Sequence, residues 1–111
     1  MMTSPHRLSL ITIVGLLTLL LTACGPTSYS VDEHIDRAQQ AHAEGDLRTA
    51  IIEIKNALQQ EPSRAEARRL LGLYNLETGD AAAAEAELIR ARDLSADPDA
   101  VRLLLARAWL M

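Results

Sequence analysis

The stretch Gly45-Asp46-Leu47-Arg48-Thr49-Ala50 returns as Gly79-Asp80-Ala81-Ala82-Ala83-Ala84, an offset of 34 residues. The phase holds beyond the Gly-Asp pair. Ala50 pairs with Ala84, Glu53 with Glu87, Ile54 with Leu88 and Ala57 with Ala91, while upstream Ala38 pairs with Gly72 and the next step lands on Ala106. A constant period with small residues at constant phases marks a chain built from stacked copies of one small unit. Each Gly-Asp stands where one helical apolar pattern stops and another starts. Glycine closes a helix by entering the left-handed region, and aspartate opens the next by accepting hydrogen bonds from its free N–H groups. The unit is helix, tight turn, helix.

The helices follow from period and caps. Ser30-Val31-Asp32-Glu33 is a capping box that opens a first helix over about residues 32–44, with sparse apolar residues Val31, Ile35, Ala38 and Ala41. After Gly45-Asp46, a second helix reaches about Gln60 with the stripe Leu47, Ala50, Ile51, Ile54, Ala57, Leu58. Glu61-Pro62 stops it, and Ser63 with Glu66 predicts another capping box before a third helix over about 64–78, carrying Leu70, Leu71, Leu73, Tyr74 and Leu76. A fourth helix is predicted from Ala81 to about Leu94. Asp97-Pro98 caps a fifth over about 98–110, with Val101, Leu104, Leu105, Ala108 and Trp109. The expected fold class is all-α.

Composition narrows the function. Phe is absent and aromatic residues are 3 %, so a core must come from close approach of helices. The 11 Lys+Arg residues are scattered against 15 Asp+Glu, net −4, which argues against a nucleic-acid surface. The single cysteine, Cys24, excludes an intrachain disulfide and a Cys-rich metal cluster.

Its position gives Cys24 another use. His6 and Arg7 precede a 14-residue apolar run, Leu8 to Leu21. As a helix that run would be roughly 21 Å long, short of the ~30 Å hydrocarbon core, so it fits the apolar part of an export signal better than a permanent span. It ends in Leu21-Thr22-Ala23-Cys24-Gly25, which resembles the bacterial lipobox. The resemblance implies cleavage before Cys24 and lipidation of its thiol. Each long acyl chain would contribute roughly 10 kcal/mol, at about 0.8 kcal/mol per buried CH₂. Gly25 is not the aspartate that retains many such lipoproteins in the inner membrane, so outer-membrane sorting is expected. The expected organisation is a signal peptide at 1–23 and a lipidated cysteine with tether at 24–30. The mature chain keeps 10 basic and 15 acidic residues, net −5, so the acyl chains must do the anchoring.

The repeat resembles the tetratricopeptide repeat (TPR). The residues that carry the resemblance are Ala38, Gly45, Ala50, Ile54, Ala57 and Pro62 in a first unit, and Gly72, Gly79, Ala84, Leu88 and Ala91 in a second. It implies a TPR-type α-solenoid of antiparallel helix pairs: TPR 1 at 31–64, TPR 2 at 65–98, and at 99–111 the first helix of a truncated TPR 3. The second unit's proline is displaced to Pro98. His34, Arg68 and Arg102 stand where the family has a large apolar residue, and Arg37 is a further departure. Lipobox, tether and repeat together are similar to the start of the long TPR lipoproteins of the PEP-CTERM/exosortase system. That implies an N-terminal fragment or shortened relative acting in exopolysaccharide export and protein sorting. The alternatives are a TPR lipoprotein of pilus-secretin or outer-membrane assembly, and an inner-membrane signal-anchored TPR protein.

TPR arrays present a concave groove to peptides, and the resemblance maps it onto Ile35, Gln39, His42, Arg69, Leu73, Leu76 and Arg107, with Leu103 and Leu110 packing under further repeats. The known carboxylate-clamp pattern is not met, because Ile35, Gln39, Arg69 and Leu73 occupy its places. His34 and His42 read as surface histidines without a third ligand, Glu85 and Glu87 as a solvated face, and Trp109 as core. No nucleophile has a plausible His-acid arrangement and no Gly-rich phosphate loop is found. The expectation is a scaffold, not an enzyme, with no cofactor or metal. It would contact the membrane through the lipid on Cys24, bind protein partners in the cell envelope, and take neither nucleic acid nor a small-molecule substrate.

Overall fold

Gly45 and Gly79 take φ of 81° and 84°, a region closed to most side chains. In the structure, a computed structural model that describes residues 28–94 and 96–111, these two conformations turn the chain back on itself. The Gly45 N–H donates to the His42 carbonyl at 3.0 Å and the Asp46 N–H to the Ala41 carbonyl at 2.9 Å. The second turn repeats this, Gly79 to Leu76 at 3.1 Å and Asp80 to Asn75 at 2.9 Å. Orphan carbonyls of the ending helix are thereby satisfied. The same aspartates then start the next helix. Asp46 accepts from the Thr49 N–H and Asp80 from the Ala83 N–H, each at 3.0 Å, and the Thr49 bond holds the Asp46 carboxyl below its ordinary pKa.

The elements are α1 (Val31–Ala43), α2 (Leu47–Gln60), α3 (Ala65–Glu77), α4 (Ala81–Asp93) and α5 (Pro98–Trp109). All regular structure among the described residues is helical. Ser30 and Glu33 form the expected capping box, and Asp97 caps α5 through the Asp99 and Ala100 N–H groups. The expected Ser63–Glu66 box does not form. Helix α3 starts one residue later, its N-cap is Arg64, and no side chain caps it. The Arg64 guanidinium instead bonds Asp32 and Glu61, and the Arg68 Nε–H donates to the Pro62 carbonyl. The loop is held by arginines rather than by a serine.

α1 packs on α2 and α3 on α4; α3 also lies against α2, and α5 against α4 and α3. Buried side chains form two clusters. One joins Ile35, Ala38, Ile54, Leu70 and Tyr74, and the other joins Leu76, Ala84, Leu88, Val101 and Leu105. The small residues sit where helices cross. Ala38, Ala50, Ala57, Ala84 and Ala91 are wholly buried. At Gly72 a Cβ would stand 2.6 Å from Leu88 Cγ, so Leu88 would have to shift to admit even a methyl group.

One expectation for α5 needs correction. Val101, Leu105 and Ala108 are buried in the second cluster. Trp109, expected in the core, is 67 % exposed, and its Nε1–H donates to Glu85 Oε1 at 2.9 Å. A helix that turns residues 101, 105 and 108 inward carries residue 109 off that stripe. The expected signal peptide at 1–23, the expected lipidation site Cys24 and the expected tether through residue 27 lie outside the described residues. No helix among the described residues is long and apolar enough to cross a membrane.

Candidate functional site

The residues expected to line a groove divide into three groups. Ile35 and Leu76 are buried and belong to the two core clusters, so neither lines a surface. The family resemblance placed them on the inner helices, but each sits on the stripe that faces its neighbour. Leu73 is half-buried and packs on the first cluster, and Arg69 is half-buried on the same helix. Gln39 and Arg107 are exposed, as are Leu103 and Leu110, at 71 % and 88 %. Leu103 and Leu110 therefore pack under nothing among the described residues.

His42 is the groove residue with the most defined surroundings. Its Nε2–H donates to the Glu77 carboxylate, 2.9 Å from both oxygens, and its ring lies 4.8 Å from that of Tyr74. It ties α1 to α3 across the two units. Tyr74 is wholly buried, and its O–H has no hydrogen-bond partner among the described residues. Burial pushes the Tyr74 phenol up from its ordinary pKa, and Glu77 adds to that.

A second constellation escaped sequence reasoning. His34 is buried, and its Nδ1–H donates to Glu53 Oε2 at 2.6 Å, while the Arg37 Nε–H reaches Glu53 Oε1 at 3.0 Å. Burial alone would raise the Glu53 carboxyl; the hydrogen bonds from His34 and Arg37 outweigh it and hold the pKa below the ordinary glutamate value. The Arg37 guanidinium lies 4.3 Å over the Tyr29 ring, Tyr29 meets the His34 ring edge-on, and Gln60 donates to the Tyr29 carbonyl at 2.9 Å. This cluster fixes where the chain leaves the helical body toward its N-terminus.

The second unit has the same device with other residues. Arg68 donates to Glu87 at 2.8 Å, and Arg90 reaches the other oxygen of Glu87 at 2.6 Å. Glu87 is mostly buried rather than part of a solvated face, and Glu85 holds Trp109. His34 with Glu53 and Arg68 with Glu87 stand at one spacing and are one period apart. The signal was legible: the basic side chains at His34 and Arg68 and the acids at Glu53 and Glu87 repeat in phase.

Open grooves flank the units among the described residues. The groove of about 210 Å³ beside the first Gly-Asp turn is lined by Arg37, Gln40, Glu44, Asp46, Thr49 and Glu53. One of about 370 Å³ lies between the α2–α3 loop and the end of α4, and one of about 280 Å³ is lined by Arg92, Pro98, Val101, Arg102, Leu105 and Trp109. Neither a protein-family model nor a curated protein matches this chain.

Proposed function

We propose that the chain is a lipid-anchored TPR-type scaffold of the bacterial cell envelope, held by acyl chains on Cys24 in the outer membrane and facing the periplasm. It binds protein partners and catalyses no reaction. The observation that supports this most is the helix–Gly-Asp–helix unit, built twice with the same turn, buried small residues at the same places and a basic side chain hydrogen-bonded to a glutamate at the same spacing. Stacked helix pairs of this kind expose one continuous side-chain surface, whose shape is set by the per-repeat rotation and not by a cofactor or substrate. The surface on this chain runs from Gln39 and His42 through Arg69 and Leu73 to Arg107. The preferred setting is exopolysaccharide export with PEP-CTERM protein sorting, on the resemblance of the lipobox and repeat.

A photo-crosslinking amino acid placed singly at Gln39, Arg69 and Arg107 in living cells tests the surface. One discrete adduct shared by these positions, and absent when the probe is at Lys55 or Gln59 on α2, is the expected result. Adducts at Lys55 and Gln59 alone would reject this surface.

A further inference from the structure

Residues 28–30 sit at the end of the body where α1 and α3 begin and α2 finishes; the two Gly-Asp turns lie at the opposite end. They are clasped there by side chains from separate elements. Gln60, the last residue of α2, donates from Nε2 to the Tyr29 carbonyl at 2.9 Å. Arg37, in the second turn of α1, lies 4.3 Å over the Tyr29 ring, and the His34 ring meets that ring edge-on. Ser30 and Glu33 close the capping box immediately after it. Arg64, from the loop between α2 and α3, reaches back to Asp32. The chain is therefore fixed to the body two residues before α1 starts.

Three lengths decide what this clasp does to a chain anchored at Cys24. Tyr29 lies five residues beyond Cys24, a link of at most about 18 Å when fully extended. Val31, where α1 starts, lies seven residues beyond Cys24, at most about 25 Å. The 13-residue helix α1 is about 20 Å long. To lay the Gly-Asp end on the bilayer, the link must run back along a whole helix. The clasped link is too short for that, and the unclasped one is long enough. We propose that residues 28–30 are a strap that holds the α2–α3 loop end of the body on the lipid surface and turns the Gly-Asp end away from it, an inference that rests on the lipid-anchor reading. The mature chain's net charge of −5 offers no attraction to an anionic surface, so the strap sets the orientation and charge does not. The groove beside the first Gly-Asp turn, with Gln40, Glu44, Asp46 and Thr49 on its walls, is thereby presented to protein partners rather than to lipid.

Cys24 is the chain's one cysteine, so once it is acylated an introduced cysteine is the only free thiol. Exposed Ser63, in the α2–α3 loop, and exposed Arg48, beside the first Gly-Asp turn, are replaced singly as Ser63→Cys and Arg48→Cys and labelled with a donor dye. The full lipidated chain is placed in phosphatidylethanolamine–phosphatidylglycerol vesicles carrying a headgroup acceptor, and energy transfer is read at each position. Transfer at least twofold greater from residue 63 than from residue 48 is the expected result. Tyr29→Ala with Gln60→Ala should bring that ratio to about one at unchanged helical content, and Tyr29→Phe, which keeps the ring, should preserve it. Six Gly-Ser residues inserted after Gly25 add roughly 20 Å of link without touching the body, and should also bring the ratio to about one. Equal transfer from both positions in the parent, or a ratio that survives the insertion, overturns the strap while a vesicle-bound, palmitate-labelled chain keeps the anchor. A chain that neither labels with palmitate nor stays with the vesicles rejects the anchor and the strap with it.

Discussion

Gly72→Ala adds one methyl group at the tightest crossing in the molecule. The new Cβ would stand 2.6 Å from Leu88 Cγ and 2.7 Å from Leu88 Cδ2. Carbon atoms rest about 3.5–4.0 Å apart, so Leu88 must move by about 1 Å. It has nowhere easy to go, because Leu88 and Ala84 are both wholly buried. Overpacking of this kind costs about 1–3 kcal/mol, and alanine returns about 1 kcal/mol of helix propensity. The net expectation is destabilisation by up to about 2 kcal/mol, or up to roughly 15 °C in melting midpoint for a body of this size. Leu88→Ile on the Gly72→Ala background recreates the Ala38/Ile54 pair that the first unit accommodates. Urea denaturation of wild type, both single variants and the double variant should therefore give a favourable coupling of about 1 kcal/mol. Stabilisation by Gly72→Ala with zero coupling, as on an open helix surface, would refute the reasoning.

Ala84→Leu should overpack the same crossing from the other helix and cost about 1–3 kcal/mol, read from thermal melts. Glu53→Ala should cost about 2–3 kcal/mol because it leaves buried His34 without its acceptor, whereas exposed Arg37 is rehydrated. The Glu53 carboxyl has a lower pKa folded than unfolded, so its stabilisation is full above the ordinary glutamate value. It is lost as pH falls through that value and then the folded one. Stability should thus fall from about pH 5 toward pH 3, less steeply in Glu53→Gln, and equal slopes would remove Glu53 from the account. A clickable palmitate analogue should label the wild-type chain in cells and not Cys24→Ser, and equal labelling would reject the lipid anchor.

Turns and periods were legible because they depend on local chemistry. Gly45 and Gly79 take positive φ and Asp46 and Asp80 cap the next helix, as composition alone required. Helix boundaries fell within about one residue for the same reason. What sequence did not give was the partner of each polar side chain. Glu87 looks solvated on its own helix, and only the crossing of α3 over α4 brings Arg68 to it. His34 is buried because Tyr29 and Glu53 approach it from separate segments. Ile35 and Leu76 failed as groove residues because the rotation of a helix about its axis decides between groove and core. Trp109 failed for the same reason. Side-chain type says what can be buried; the crossing decides what is.

The central claim is that 34 residues form one structural unit. A second copy of residues 65–98 inserted after Pro98 tests it, because stacked units contact only their neighbours and accept an in-phase addition. The account predicts a monomer that gains two helices by circular dichroism, unfolds cooperatively, and melts no lower than the parent. A 30-residue insertion taken from the same segment should fail to do so. A 34-residue insertion that aggregates or melts well below the parent, no better than the out-of-phase control, would contradict the repeat.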